Sequence, residues 1–382
     1  MADPSFDQLS ASTLADLRAD VVYDNFFVDG AIQRTLRAEG ALDDFLGGLW
    51  MQEPFMYDRV NGGAIAPGSD VAVTQKQILA ATAFTEREYV ETVPLNLWQT
   101  NVINAGPAGK VKLVDLYMTN AVMACNTDLN IDFYRHGQPS STTVSDDRTI
   151  YINGASEALN DGVNNSWDGN VFTLYGGQLR GSAIGNTLNS IPIWLGDAAG
   201  NTGQISYKPL LEAYLNCVQE PDTGICNKAL FAYLLERQET KQRFAQETNA
   251  RIGLTGIKVM DAYIHVDKLC PSTKYGTILP SGLSQTTSVK PSTFTSATLS
   301  AAQNAISNLP SAVTINPGEI FFWFRLKGWK VRPSTDPEYD HNFTPPIRAQ
   351  NNPDLIVMFY KVAINMYTPT PRDNAQMYGA GF

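Results

Sequence analysis

The chain has 382 residues, 43% of them apolar and 17% charged, a globular composition with ample core for two or three structural regions. The formal net charge is −10 and no run of Lys and Arg makes a basic stripe. That argues against a dedicated nucleic-acid binder, leaving room only for a small local basic patch. No stretch approaches the roughly 18 apolar residues of a membrane span. Met1-Ala2-Asp3-Pro4 has neither the basic nor the apolar region of a signal peptide. The expectation is a protein made in the cytosol that stays soluble or assembles there, with no membrane partner.

In chain order, residues 1–50 are acidic and partly helical. Thr13 and Asp16 give a weak capping signal around Leu14, Leu17 and Val21. Ile32, Leu36 and Leu42 mark a second short amphipathic piece. Asn61-Gly62-Gly63 and Ala66-Pro67-Gly68-Ser69 are turn signals. Segments 71–79 and 84–93 then read as extended, and together predict a long hairpin-like loop. The stretch 59–93 has little that could close a core of its own. Arg59, Lys76, Arg87 and Glu88 are therefore expected to make inter-subunit contacts. Exposed pairs of that kind are worth only about 0–1 kcal/mol each.

Residues 108–134 carry the strongest periodic signal. Val111, Val114, Met118, Ala121, Cys125, Leu129 and Phe133 fall three or four apart, on one helix face. Leu113, Leu116 and Ile131 interrupt the polar side, so burial on more than one side is expected. A fully helical run would be roughly 40 Å long. A long rod beside a coreless arm implies a subunit that completes itself against neighbours, as in a shell or filament.

Further on, 137–147 reads as a polar turn region and 151–161 as a strand end followed by a short helix. Residues 206–217 form an amphipathic helix with Leu210, Leu211, Tyr214 and Leu215. A further helix is expected at 230–247, and 252–266 alternates like two strands joined by a tight turn. Segment 276–315 is rich in Ser, Thr, Ala and Pro, the pattern of a surface loop or inserted lobe. Aromatic strand signals return at 320–326, 329–331 and 355–366, and the tail 369–382 reads as extended.

Motifs that carry chemistry are missing. Gly106-Pro107-Ala108-Gly109-Lys110 only brushes against a phosphate-binding loop, and a turn and helix start is the stronger reading. Gly-x-Ser-x-Gly, H-E-x-x-H and EF-hand patterns are absent. His136, His265 and His341 lie far apart with no paired nucleophile or ligand spacing. Asp161, Asn164, Asn165 and Asp168 are oxygen-rich but better read as a glycine-rich turn than a calcium loop. Cys125, Cys217, Cys226 and Cys270 form no C-x-x-C pair; free thiols are the favoured reading, with a Cys217–Cys226 disulfide as the alternative. The charged run 236–243 reads as a solvated helix face. No catalytic, cofactor-binding or metal-binding residues are assigned, and the chain is not expected to be an enzyme.

Several stretches, in this order, resemble a known family. Ile152-Asn153-Gly154 leads to Asp161-Gly162, followed by Ser166-Trp167-Asp168-Gly169. Ser206-Tyr207-Lys208-Pro209-Leu210-Leu211-Glu212-Ala213-Tyr214, then Asn227-Lys228-Ala229-Leu230-Phe231, Gln242-Arg243-Phe244 and Gly253-Leu254-Thr255-Gly256-Ile257-Lys258 continue the series. The chain resembles the major capsid proteins of tailed bacteriophages, with the Hong Kong 97 type of shell fold.

That resemblance implies an α+β fold in five parts. These are an N-terminal arm (1–54), an extended loop over a neighbouring subunit (55–97), and the first part of a peripheral domain with its spine helix (98–150). An axial domain follows (151–315, including the Ser/Thr-rich loop 276–315), then returning peripheral strands and the C-terminal tail (316–382). The implied function is self-assembly, in hexamers and pentamers, into the icosahedral head shell of a tailed double-stranded DNA phage. Implied partners are a separate scaffolding protein, since the arm starting at Met1 leaves no room for a fused one, a portal and decoration proteins. The genome would be enclosed without sequence-specific binding, and assembly would take place in the host bacterial cytoplasm before the chain resides in the virion capsid. Some relatives join lysine to asparagine between subunits; Lys76, the lysine between Met51 and Leu95, is the candidate. The rival within the same fold is an encapsulin that encloses an enzyme cargo; the rival from another class is an enzyme with an unrecognised site.

Overall fold

The structure, a computed structural model, describes residues 30–61 (except 44, 46 and 49), 64, 66–67, 75–96, 113–137, 151–195 (except 165, 168 and 169), 203–205, 207–238, 256–271, 319–349 and 352–381. The capping signal at Thr13 and Asp16, the helix start at 108–112, the second half of 230–247 and the loop 276–315 lie outside them.

Helix α1 (Ala31–Ala38) buries Ile32 and Leu36. A ribbon of β1 (Met51–Met56) and β2 (Leu79–Phe84) follows, antiparallel and registered Met51 on Phe84. Strand β3 (Arg87–Asn96) does not fold back on β2. It pairs antiparallel with β15 (Asn352–Tyr367), from Arg87 opposite Ile364 to Asn96 opposite Leu355. The expected hairpin is thus two extended segments that diverge onto different sheets. Phe84 stacks on Tyr367 with ring centroids 4.2 Å apart, and Asn365 Nδ2 donates to the Thr85 carbonyl at 2.7 Å. Those contacts pin the turn where the chain changes partner. The region is not coreless either: Thr82, Phe84, Val93 and Leu95 are buried within this chain.

The long helix α2 (Leu113–Tyr134) spans 22 residues, about 33 Å. Its C-terminal end, from Leu129 to Tyr134, is buried at every position, matching the expectation of burial on more than one side. Its first turns expose Leu116, Tyr117 and Met123. After the short α3 (Ala155–Ala158) come the hairpin β4 (Leu174–Tyr175) and β5 (Gln178–Leu179), then β6 (Ile191–Trp194), β7 (Gly203–Gln204), α4 (Tyr207–Asn216), β8 (Thr223–Cys226) and α5 (Lys228–Gln238). Strands β9 (Gly256–Val259) and β10 (Ala262–Val266) turn tightly at Met260 and Asp261. The remainder is β11 (Glu319–Phe324), β12 (Lys330–Pro333), β13 (Asn342–Phe343), β14 (Ile347–Ala349), β15 and β16 (Ala375–Gly381).

Two large sheets organise the molecule. In the first, β15 pairs along one edge with β3 and along the other with β14, β13 and β12 in turn. In the second the order is β6-β16-β11-β8-β10-β9, with β7 also on β16. Residues 316–382, expected as one return to the peripheral domain, therefore divide: β12 to β15 build the first sheet, and β11 and β16 lie inside the second. The tail is extended as expected, but as a buried strand between two others. The reason is composition: β11 reads Glu-Ile-Phe-Phe-Trp-Phe and β16 is apolar and glycine-containing, the pattern of strands covered on both faces.

β11 also joins the two cores. Its alternate residues Ile320, Phe322 and Phe324 pack with Phe133, Tyr134 and Trp329 in one apolar cluster. Phe321 and Trp323 point the other way, into the cluster of Leu210, Tyr214 and Ile264 under α4 and α5. Gly224 on neighbouring β8 is required by this crowding, because a Cβ there would come within 2.8 Å of the Phe321 ring and 2.9 Å of Trp323.

Candidate inter-subunit surface

The β1–β2 ribbon has two faces of different fate. Met51, Glu53, Thr82 and Phe84 are buried against the chain's own interior. On the other side Met56 and Leu79, opposite each other in register, are 71% and 55% exposed. The β4–β5 hairpin sits on the edge of β2: the Ala83 N–H donates to the Gly176 carbonyl at 2.9 Å and Gln178 Nε2 to the Ala81 carbonyl at 2.8 Å. Gly176 must be glycine, since its φ is +54° and a Cβ would sit 2.6 Å from that of Thr82. The hairpin exposes its own apolar cross-strand pair, Leu174 and Leu179. Two hydrogen-bonded ribbons thus each present an exposed apolar cross-strand pair.

The root of the ribbon is clamped by charge. Glu53 Oε2 lies 2.9 Å from Lys330 Nζ, and Oε1 lies 2.9 Å from Arg332 Nη2. The Tyr367 hydroxyl donates to the same Oε1 at 3.0 Å. Arg332 Nη2 also meets Asp43 Oδ2 at 2.6 Å. Asp43 belongs to a segment that runs parallel along β12, with Val331 N–H donating to the Ala41 carbonyl at 2.8 Å and Asp43 N–H to the Val331 carbonyl at 3.0 Å. Segment 41–43, the ribbon, β12 and β15 meet around Glu53 and Arg332. Burial and the Glu53 charge hold the Tyr367 phenol above its ordinary range, so it stays a donor.

The four residues singled out from the sequence are separated by the fold. Arg59 and Lys76 lie near each other around Asp58: Lys76 Nζ sits 2.5 Å from Asp58 Oδ2, and the Arg59 N–H donates to Asp58 Oδ1 at 2.8 Å. The Lys76 hydrogen bond is the main reason the Asp58 carboxyl lies below the usual range. Lys76, the lysine considered for a covalent joint, is thus ion-paired within its own chain. Glu88 points outward from β3 and is exposed. Its neighbour Arg87 points inward, half-buried beside Glu157 and Tyr89, and desolvation pulls its pKa down. Alternation along the strand decides this split.

Sequence reasoning missed Asp43, Glu53, Lys330, Arg332 and Tyr367. The sole signal was Glu53 inside an apolar-alternating strand, and its partners lie 277 and 314 residues away. The three histidines sit in three separate settings. His136 packs on Phe172, His265 lies over Tyr263 in β10, and His341 Nδ1 meets the Tyr360 hydroxyl at 2.9 Å. Asp161 Oδ1 accepts from the Val163 and Asn164 N–H groups at 2.9 and 2.7 Å, closing a turn in which Gly162 has φ +78°. Asn165 and Asp168 lie outside the described residues. Among the described residues no group of three or more His, Cys, Asp or Glu side chains is arranged to hold a metal. No helix among them is long and apolar enough to cross a membrane.

No protein-family model and no curated protein matches the sequence. Compared by structure, the chain is similar to the capsid asymmetric unit of cyanophage A-1(L), with a TM-score of 0.62 at 11% identity over 96% of this chain and 97% of that one. It is also similar to the capsid of a native GTA particle, at TM-score 0.51 and 8% identity, covering 95% and 96%. The head of Helicobacter pylori bacteriophage KHP40 follows at 0.50 and 7%, covering 94% and 93%. The fold is α+β, of the Hong Kong 97 type found in phage capsid proteins, over nearly the whole chain.

Proposed function

We propose that this chain, with its phage-capsid fold, is the major capsid protein of a tailed double-stranded DNA bacteriophage, assembling in hexamers and pentamers into the icosahedral head. The observation that carries the reading is the extent of the structural likeness: almost all of this chain corresponds to almost all of a capsid subunit. Work of this kind needs no catalytic group. Repeated interface area supplies the energy, and closed symmetry multiplies it.

In this reading residues 1–54 are the N-terminal arm and 55–97 the extended loop, clamped at its root by Glu53. The first sheet with α2 is the peripheral domain and the second sheet the axial domain. The exposed ribbon pairs Met56–Leu79 and Leu174–Leu179 face a neighbouring copy, with Arg59, Lys76 and Glu88 at the rim. Arg87 is the weakest of the four expected contacts because it is turned into its own chain. A separate scaffolding protein, a portal and decoration proteins complete the head, which is built in the host bacterial cytoplasm. Many copies at −10 each repel the genome on average, so packaging is driven by a motor at the portal rather than by a binding lining.

Electron microscopy and light scattering of the purified protein, alone and co-expressed with a scaffold, test the reading. Closed particles in at least one condition are expected, and strictly monomeric protein in both overturns it. Shells that co-purify with an enzyme inside would point instead to a cargo-holding container. Empty opened shells are expected to bind duplex DNA weakly in a low-salt filter titration. Tight binding that falls steeply with salt would reveal a basic lining.

A further inference from the structure

Between β12 and β13 the chain makes a loop, 334–341, that lies on β15. It clasps one residue of that strand from two sides. The Ser334 N–H donates to the Ala363 carbonyl at 2.8 Å, and the Ala363 N–H donates to the Tyr339 carbonyl at 3.0 Å. The Lys361 ammonium stands 5.0 Å from the centre of the Tyr339 ring. The Tyr339 and Asp340 N–H groups both donate to the Asp336 carbonyl at 2.9 Å, closing a turn. His341 then reverses the chain into β13 with φ +50°, a left-handed backbone that a residue with a Cβ keeps only when its surroundings fix it.

The ring of His341 supplies that fixing contact. Its Nδ1 lies 2.9 Å from the Tyr360 hydroxyl. Tyr360 is buried in β15, and Phe343, two residues beyond His341, lies opposite it in register with ring centroids 4.9 Å apart. The exit of the loop is therefore held by an imidazole–phenol hydrogen bond. Burial pushes the Tyr360 phenol up to about 12, so it keeps its proton between pH 5 and pH 8. Around the pair stand Cys125 from α2, Arg37 from α1 and Asp340 from the loop itself, with Glu91 of β3 opposite Tyr360 in register. Of these, Arg37 can only donate and a thiol accepts weakly.

We propose that neutral His341 accepts the Tyr360 proton at Nδ1 and so catches the loop on β15, and that protonation of the imidazole releases the catch. With a proton on Nδ1 the ring can no longer accept, and the buried hydroxyl proton loses its partner. The catch belongs to the single chain and does not rest on the shell reading. Its sign is set by linkage. Solvent reaches His341, yet desolvation still holds its pKa below the ordinary 6.5, with Asp340 opposing that shift and Arg37 adding to it. A histidine lowered on folding contributes stability that is full above its unfolded value and is lost as pH falls from there through the folded one. The loop is thus firm at neutral pH and loosens in acid.

Hydrogen-exchange mass spectrometry on the full chain at pH 7.5 and pH 5, corrected for intrinsic exchange, tests the catch. Opening of segment 335–343 is expected to rise about three- to tenfold at pH 5. In His341→Gln the side-chain carbonyl replaces Nδ1 with an acceptor that does not titrate, and the rise should shrink to within about twofold. Tyr360→Phe removes the donor, so opening should already be raised at pH 7.5 and change by less than about twofold at pH 5. His341→Gln carries the test alone if Tyr360→Phe does not fold. Glu86, Asp336 and Asp340 remain in both variants. A rise that survives either substitution therefore belongs to those carboxyl groups and overturns the catch, as does a flat profile in the unsubstituted protein.

Discussion

The Tyr134 hydroxyl donates to Asp267 Oδ2 at 2.8 Å, joining the last residue of the long helix to the segment that leaves β10. The same carboxylate accepts from the Ile32 N–H at 3.3 Å and, through Oδ1, from the Leu269 N–H at 2.9 Å. One buried side chain therefore ties helix α1, the long helix and the second sheet together. Asp267→Ala orphans three donors at once and should cost about 2–5 kcal/mol, against about 1 kcal/mol for Tyr134→Phe, which removes a single bond. Denaturant midpoints at fixed pH measure both. Equal losses in the two variants would mean that the backbone donors find other partners and that the tie is only pairwise.

The alternation of β11 predicts two separate footprints. Trp323 Nε1 donates to the Leu210 carbonyl at 3.1 Å and its ring meets Tyr214 edge-on at 5.5 Å, whereas Phe322 lies 5.5 Å from Tyr134 on the opposite face. Either residue changed to Ala should cost about 3–5 kcal/mol. Hydrogen exchange should rise around α4 for Trp323→Ala and around the end of α2 for Phe322→Ala. A common footprint for both would show that the two cores open as one unit.

At the ribbon root, exposure decides which charge matters. The Glu53 side chain is 9% exposed and serves Lys330, Arg332 and Tyr367, whereas Asp43 is 52% exposed. Glu53→Ala should cost about 2–3 kcal/mol, since it removes the bonds of one buried carboxylate to Lys330, Arg332 and Tyr367 and leaves Arg332 only the exposed Asp43. Asp43→Asn should change stability by less than about 1 kcal/mol. Chemical denaturation compares them, and similar losses from the two would remove burial as the explanation.

All four cysteines are free and buried. Burial pushes Cys125 and Cys217 up to about 12 and raises Cys226 and Cys270 as well. At pH 8 a thiol at that value is roughly one part in ten thousand thiolate, so it is a poor nucleophile. A colorimetric thiol reagent at pH 8 should find no fast-reacting cysteine in the native protein and four after denaturation. Rapid native labelling of Cys217 would show that its environment opens readily.

Much of the element list was readable from residue order. The helices at 113–134 and 207–216, the tight turn between β9 and β10, and the strands at 319–324 and 352–367 follow from periodicity and aromatic clustering. Pairing was not readable. Segments 79–84 and 87–96 are adjacent and both extended, which on local grounds makes a hairpin. They instead join β1 and β15, and Phe84 at the end of β2 stacks on Tyr367 at the end of β15. Arg87 and Glu88 show the same limit at the scale of one residue. Their identities mark them as charged, yet the strand's face alone makes one inward and the other outward.

The sequence by itself determined the α+β character, the long helix, the want of catalytic motifs and, through its ordered stretches, the resemblance to capsid subunits. These are local properties, set by periodicity, turn chemistry and composition within windows of about twenty residues. Only the tertiary structure decided which sheet each returning strand enters, that Glu53 ties the β1–β2 ribbon to β12 and β15, and that Tyr134 of the long helix meets Asp267 beyond β10. Those choices rest on contacts between residues far apart in sequence. Their energies depend on burial and on the charge of distant partners, which no local pattern encodes.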